Sequence, residues 1–273
     1  MKTKLTSQLL AITGILLLFP FSPAAADPPR KVLTEVAANH QAEKTSYKET
    51  LQGQEGLQRK ADSEPLNRPI YRPPLRGAPA GRVAGGSRGA AGETAPFLCT
   101  LVPEHVGLTV SSQPLLSFFL ARSTDLPVEF TVIEYHGISP LVEVRLAQPL
   151  KAGIHTINLA DYGRKLKPGI RYKWFVVLIP DEQHRAKDIL AAGGIERVAF
   201  QNDLQAKLSR ADAARAAAIY AETGIWYDAL GSLTRAIAGA PGDQALVKER
   251  AFLLQQVGLL EAAGYEIGRV DQN

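Results

Sequence analysis

From Leu98 to Phe200 apolar side chains return at every second position, in short runs punctuated by Pro, Gly, Ser and Asp. A strand puts alternate residues on opposite faces, whereas a helix repeats every 3.6, so this periodicity commits the segment to β-structure. The runs predict strands at Leu98–Val102, Gly107–Val110, Leu115–Ala121, Val128–His136, Leu141–Ala147, Ile154–Leu159, Arg171–Ile179 and Gly194–Phe200. In VEFTVIEYH, Val128, Phe130 and Val132 alternate with Glu129, Thr131, Ile133 and Tyr135, which predicts a strand covered on both faces. About eight short strands without helical spacers predict an antiparallel sandwich.

Within LKPGIRYKWFVVLI, Leu166, Pro168 and Tyr172 stand in the order seen at the corner before a late strand of immunoglobulin-like and fibronectin-type folds. Tyr172 would open the strand and bond through its hydroxyl to backbone near the turn, with Trp174 and Val176 on the same face. The expected fold is therefore an immunoglobulin-like antiparallel β-sandwich over residues 96–202.

After Phe200 the period lengthens to 3.6. Ser209-Arg-Ala-Asp212 reads as a helix start, with the hydroxyl capping backbone N–H groups. The first helix carries Ala213, Ala216, Ala217 and Tyr220 on one face and stops at Thr223-Gly224. A second runs from about Ile225 to Ala238, with Ala229, Leu230, Leu233, Ala236 and Ile237 inward. Asp243 caps a third, whose apolar face is Leu246, Val247, Leu253, Val257 and Leu260. The hairpin is similar to a single tetratricopeptide-type repeat at Ala213, Ala216, Ala217, Tyr220, Ala229, Leu233, Ala236 and Pro241, although the large aromatic usual near the repeat's start is Ala213 here. One repeat cannot bury its own face. Helices are thus expected over 203–264, with 265–273 a tail. Tyr220, Trp226 and Tyr227 mark a packed hinge that also serves as a binding candidate.

The N-terminal third is of another kind. Lys2 and Lys4 precede an apolar run, Leu9 to Phe21, and Ala24-Ala25-Ala26 follow it. A run of about 13 residues is short for a membrane span and suits a signal peptide, so residues 1–26 are expected to be removed near Ala26. The mature chain is then exported, periplasmic or extracellular, and without a transmembrane span. Loss of the two lysines takes the 31 basic residues to 29 against 27 acidic, a net of +2. A balance that small gives no electrostatic case for nucleic acid. Cys99 is the only cysteine and lies among Phe97, Leu98 and Leu101, which predicts a buried thiol; an intermolecular disulfide is the alternative. Residues 27–95 carry few large apolar side chains and turn Pro-, Gly- and Arg-rich, which predicts a disordered tail or linker. Arg76, Arg82 and Arg88 recur every six residues, so an extended chain would set three guanidiniums on one side, facing either solvent or an anionic envelope polymer.

Motifs with chemistry are few. Gly85-Gly-Ser87-Arg-Gly89 fits the serine-hydrolase expression but lacks its strand and helix. Asp181, His184 and Asp188 could form an acid–base or metal cluster, yet the five histidines show no metal-ligand spacing. No catalytic residue, cofactor or metal is assigned.

The order of RGAPAGRVAGGSRG, LVPEHVGLTVSSQPLLSFFL, YKWFVVLIPDEQHRAKD, GGIERV and YAETGIWYDAL resembles a family of exported bacterial proteins, domain of unknown function 928, from about Arg76 to about Leu260. The resemblance implies export and these boundaries, and it brings no activity, cofactor or catalytic residue. It also implies a second cysteine near the position of Pro180 as a partner for Cys99, which this chain lacks. The expectation is a non-enzymatic protein-binding or adaptor protein of the cell envelope. The alternatives are an envelope-polymer hydrolase using Asp181, His184 and Asp188, or an assembly subunit using a sandwich edge strand.

Overall fold

Period-two residues build two sheets. The computed structural model of the protein describes residues 68–74, 82 and 98–270. The strands are β1 (Leu98–Thr100), β2 (Gly107–Thr109), β3 (Leu115–Leu120), β4 (Val128–Glu134), β5 (Pro140–Arg145), β6 (Gly153–Asn158), β7 (Arg171–Leu178) and β8 (Ile189–Arg197). They pair in the orders β1-β3-β6 and β2-β8-β7-β4-β5. Every pairing is antiparallel except β2 with β8. Only β4–β5 and β7–β8 follow each other in sequence as neighbours, so the other connections cross between the sheets. Phe118 and Leu120 from one sheet and Val128, Phe130, Val132, Trp174 and Val176 from the other fill a common core. The expectation of β-sheets followed by helices holds as a mixed α/β fold, with one parallel pairing in a sheet expected to be antiparallel throughout and, among the described residues, five α-helices where three were expected.

The corner carries the bond its residue order predicts: the Lys167 N–H donates to the Tyr172 hydroxyl at 3.1 Å, and Gly169 takes a left-handed φ of 72° in the turn. Two details differ from the periodicity. The outward residues Glu129, Thr131 and Ile133 of β4 are half-buried rather than covered. The last strand begins at Ile189, five residues before the expected Gly194. Its first half is Ile-Leu-Ala-Ala-Gly, too small to read as alternation, and smallness is what the site needs. Gly193 pairs with Trp174, and a Cβ there would lie 2.8 Å from the indole nitrogen.

Five helices follow among the described residues: α1 (Asn202–Leu208), α2 (Ala213–Glu222), α3 (Trp226–Gly239), α4 (Gln244–Gln255) and α5 (Leu260–Val270). The expected Ser209 cap is corrected. The Ser209 hydroxyl donates back to the Ala206 carbonyl at the end of α1, and Asp212 caps α2 by accepting from the Arg215 N–H. The α2 seam runs through Ala217 and Ala221, with Ala213 exposed. Asp243 caps α4 as expected, but Gly258 at φ 74° ends that helical path. Leu260 is consequently 67% exposed rather than part of its apolar face. Residues 265–270 are not a tail: they complete α5, where Tyr265 meets Phe119 edge-on and donates to the Ala152 carbonyl.

Helices and sheets share one core. Trp226, Tyr227, Leu230, Leu233, Leu253 and Ala262 belong to the same buried cluster as Phe118, Phe130 and Trp174. The odd-numbered face of β3 explains why: Phe119 meets α5, and a side chain at Gly231 of α3 would touch Leu115. The unaccompanied hairpin is covered by both sheets and by α4 and α5.

Candidate functional site

Three consecutive residues fasten the start of α3 to the sandwich. Trp226 is fully buried, and its indole N–H donates to the Leu101 carbonyl at 2.8 Å. The Tyr227 hydroxyl accepts from the Trp174 indole N–H at 2.8 Å and donates to the Gly194 carbonyl at 2.9 Å. Burial drives its phenol well above the ordinary range, so it remains a donor. Asp228 accepts from the Thr109 hydroxyl at 2.7 Å and the Val110 N–H at 3.1 Å. Desolvation raises its pKa above the usual aspartate value, and those two donors oppose the shift. Gly107 lies against the Tyr227 ring, where a Cβ would come within 2.7 Å of a ring carbon. The aromatic–carboxylate cluster is a set of buried pins. Tyr220 is half-buried beside it.

A groove opens on the other side of Trp226, and a piece of the N-terminal third lies in it. Residues 68–74, Arg-Pro-Ile-Tyr-Arg-Pro-Pro, form neither helix nor strand. Gln256, just past α4, brackets their backbone: its amide N–H donates to the Pro69 carbonyl and its amide oxygen accepts from the Tyr71 N–H, both at 2.8 Å. The Arg72 N–H donates to the Ala221 carbonyl at the end of α2, at 3.0 Å. The Tyr71 ring stands edge-on to Trp226 at 5.0 Å and parallel to His105 at 5.9 Å. His105 Nδ1 is 2.9 Å from the Val106 carbonyl. A carbonyl only accepts, so Nδ1 carries the proton and Nε2 accepts from the Tyr71 hydroxyl 3.1 Å away. The Arg68 guanidinium lies 4.3 Å above the Phe252 ring. Gly224, at φ 76°, leaves room for the segment, since a Cβ would sit 2.9 Å from the Arg72 carbonyl oxygen. The linker expectation therefore fails for residues 68–74, because one aromatic anchor and three backbone bonds offset the cost of ordering a Pro-rich stretch.

Arg82 is also committed. It donates to the Val257 carbonyl at 3.2 Å and lies 3.9 Å from Glu104. It lines a cleft of about 210 Å³ with Cys99 and the first residues of α5. The expected comb of three guanidiniums loses its middle member to this contact; Arg76, Arg88, the Gly85–Gly89 motif and residues 1–26 lie outside the described residues. Cys99 is buried, and desolvation pushes its thiol up to about 12.

Asp181, His184 and Asp188 do not converge on a pocket. The Asp181 carboxylate binds His184 Nδ1 at 2.6 Å and Lys187 at 3.0 Å on an exposed loop. Asp188 turns instead to Arg185, at 2.7 Å. Arg185 also reaches Glu129, which Arg145 contacts at 3.4 Å. The bond from Arg185, followed by the charge of Arg185 and Arg145, holds Glu129 below the ordinary glutamate pKa. The loop is an ion-pair lattice pinning the β7–β8 connection to β4 and β5. Among the described residues no group of three His, Cys, Asp or Glu side chains is placed to hold a metal ion.

Sequence reasoning placed Trp226 and Tyr227 in the hinge but missed Tyr71, His105 and Gln256. Their one signal was Tyr71 itself, an aromatic framed by prolines in a segment with few large apolar residues. No curated protein matches the chain. A family model described as Domain of Unknown Function (DUF928) matches residues 83–267. With its matched region covering the sheets, the groove and nearly all of α5, the chain belongs to that family.

Proposed function

We propose that the protein is an exported, non-enzymatic protein-binding component of the bacterial cell envelope, and that the groove between the α2–α3 turn and the end of α4 is its working surface. The observation that carries this reading is the bracket of Gln256 on the backbone of residues 68–74. Side-chain amides that satisfy main-chain groups, beside an aromatic pocket for one side chain, are how folded surfaces hold unstructured peptides. Export is supported by the Leu9–Phe21 run and the alanines after it. Among the described residues no helix is long and apolar enough to cross a membrane.

An assembly role has one observation in its favour. β5 is an outer strand of the five-stranded sheet, and Ile138 at the tip of its hairpin is 96% exposed. Pro140, Glu143 and Arg145 on the same strand are the residues that blunt an edge against strand addition, so the groove is the better-supported surface.

The test is cross-linking of tagged full-length protein in intact cells, beside Phe252→Ala and Ile138→Ser variants, with N-terminal sequencing of the mature form. The expected result is cleavage near Ala26 and partner species that fade with Phe252→Ala only. Species that ignore the groove variant and fade with Ile138→Ser transfer the function to the sheet edge. An unprocessed N-terminus sinks the export claim.

A further inference from the structure

We infer that the groove is a receptor for a proline-flanked tyrosine segment of a partner polypeptide, and that residues 68–74 are a tethered occupant which such a partner displaces. The inference rests on the protein-binding reading and names the ligand chemistry of that same surface. Three observations carry it.

The first is how the segment is held. Only Pro69 and Tyr71 are buried, whereas Arg68, Ile70, Arg72 and Pro73 are exposed. The contacts are those of a short linear ligand, with one ring between Trp226 and His105, an amide bracket and one cation over Phe252. The second is where the two halves of the contact lie in the chain. His105, Ala221, Gly224, Trp226, Phe252 and Gln256 all fall within the family match at 83–267, and the segment precedes it. The receptor half lies within the family match and the occupant lies outside it.

The third is the chemistry of the pocket. His105 Nε2 presents an acceptor to a hydroxyl, because Nδ1 is committed to the Val106 carbonyl. A tyrosine satisfies that acceptor and a phenylalanine leaves it bare. Proline at positions 69, 73 and 74 costs no bond, since the backbone groups that the groove engages are the carbonyl of Pro69 and the N–H groups of Tyr71 and Arg72. Prolines also lower the entropy that an unstructured ligand loses on binding. The ligand this groove reads is therefore an irregular stretch with one tyrosine, proline before it, and a basic residue three positions N-terminal to it.

A tethered segment competes at an effective concentration of about a millimolar, so the wild-type chain should bind a ligand weakly until the tether yields. The test uses full-length protein and a fluorescein-labelled peptide of residues 67–75, read by anisotropy. The Tyr71→Ala chain should bind that peptide at least tenfold more tightly than the wild type does, and a peptide with Ala in place of the tyrosine should not bind. Arg72→Pro, which deletes the N–H donated to Ala221 without opening a cavity, should give a smaller gain and stands in should Tyr71→Ala fail to fold. No gain with either folded variant, or equal binding of the tyrosine-free peptide, overturns the inference. It leaves the broader reading to the cross-linking comparison, which scores the groove whatever its ligand. Concentration-dependent dimerisation of the wild type that the free peptide abolishes would make a second copy the occupant, and the partner claim would fall.

Discussion

At the scale of single residues, Tyr227 shows how much one hydroxyl can organise. It accepts from a sheet tryptophan and donates to a sheet carbonyl while sitting on a helix. Tyr227→Phe strands both partners in a buried core, and the expected loss is about 2 kcal/mol or more, measured as a shift in urea midpoint. Asp228 makes a prediction of opposite colour. Burial raises its pKa in the folded state, so its ionisation above the unfolded value, roughly 3.9, costs stability as pH rises and the cost is relieved on acidification. Asp228→Asn keeps an acceptor for Thr109 and Val110, so it should be at least as stable as wild type at neutral pH and lose that part of the slope. Urea midpoints across the acid range check both statements; a large loss at neutral pH would mean the charge itself is needed. Neither role was legible in sequence. A tyrosine and an aspartate opening a helix look like a packed ring and a dipole partner, and only the approach of Trp174 and Gly194 to Tyr227, and of Thr109 and Val110 to Asp228, gives them buried polar duties.

Elements were read best where one period ran uninterrupted. Strands β3, β4 and β7 and helix α3 lie within a few residues of expectation because their inward positions are large and regular. Misreadings occurred where packing demanded small or charged side chains. β8 hides behind Ala191 and Gly193, and α5 carries a buried glutamate that a periodicity reading scores as surface. That glutamate, Glu266, pairs with buried Arg250 of α4, whose Nε lies 2.7 Å from it. Arg250→Ala would leave a buried carboxylate with only Arg269, 3.9 Å away, and the expected cost is about 3 kcal/mol. Replacing both residues with apolar side chains should recover most of it, read from thermal or urea midpoints. A single variant that costs nothing would mean that water reaches Glu266.

For the molecule as a whole, the shared core decides behaviour. Sequence periodicity drew a line near residue 202, with sandwich before and helices after, and the change of secondary structure is real. Yet Trp174 of the sheet is hydrogen-bonded to Tyr227 of α3, so stability does not divide where the pattern does. The chain has two tryptophans, one in β7 and one in α3, both buried. Their fluorescence and the helical circular dichroism should therefore lose native signal in one coincident transition. Helices melting first would separate the two layers. The same coupling means that removing residues 203–273 strips cover from the sheet, so point variants rather than truncations are the way to ask which surface binds.

The central claim is that one cooperative body offers the groove beside Trp226 as its binding surface, and an amide and indole NMR titration of the full-length Tyr71→Ala protein with the peptide of residues 67–75 tests it most directly. The predicted result is saturable shifts at His105, Gly224, Gln256 and the Trp226 indole, with the 181–188 loop and the β4–β5 hairpin unmoved. Shifts centred on Asp181–Asp188 or on Ile138, with the Trp226 indole unchanged, would contradict it.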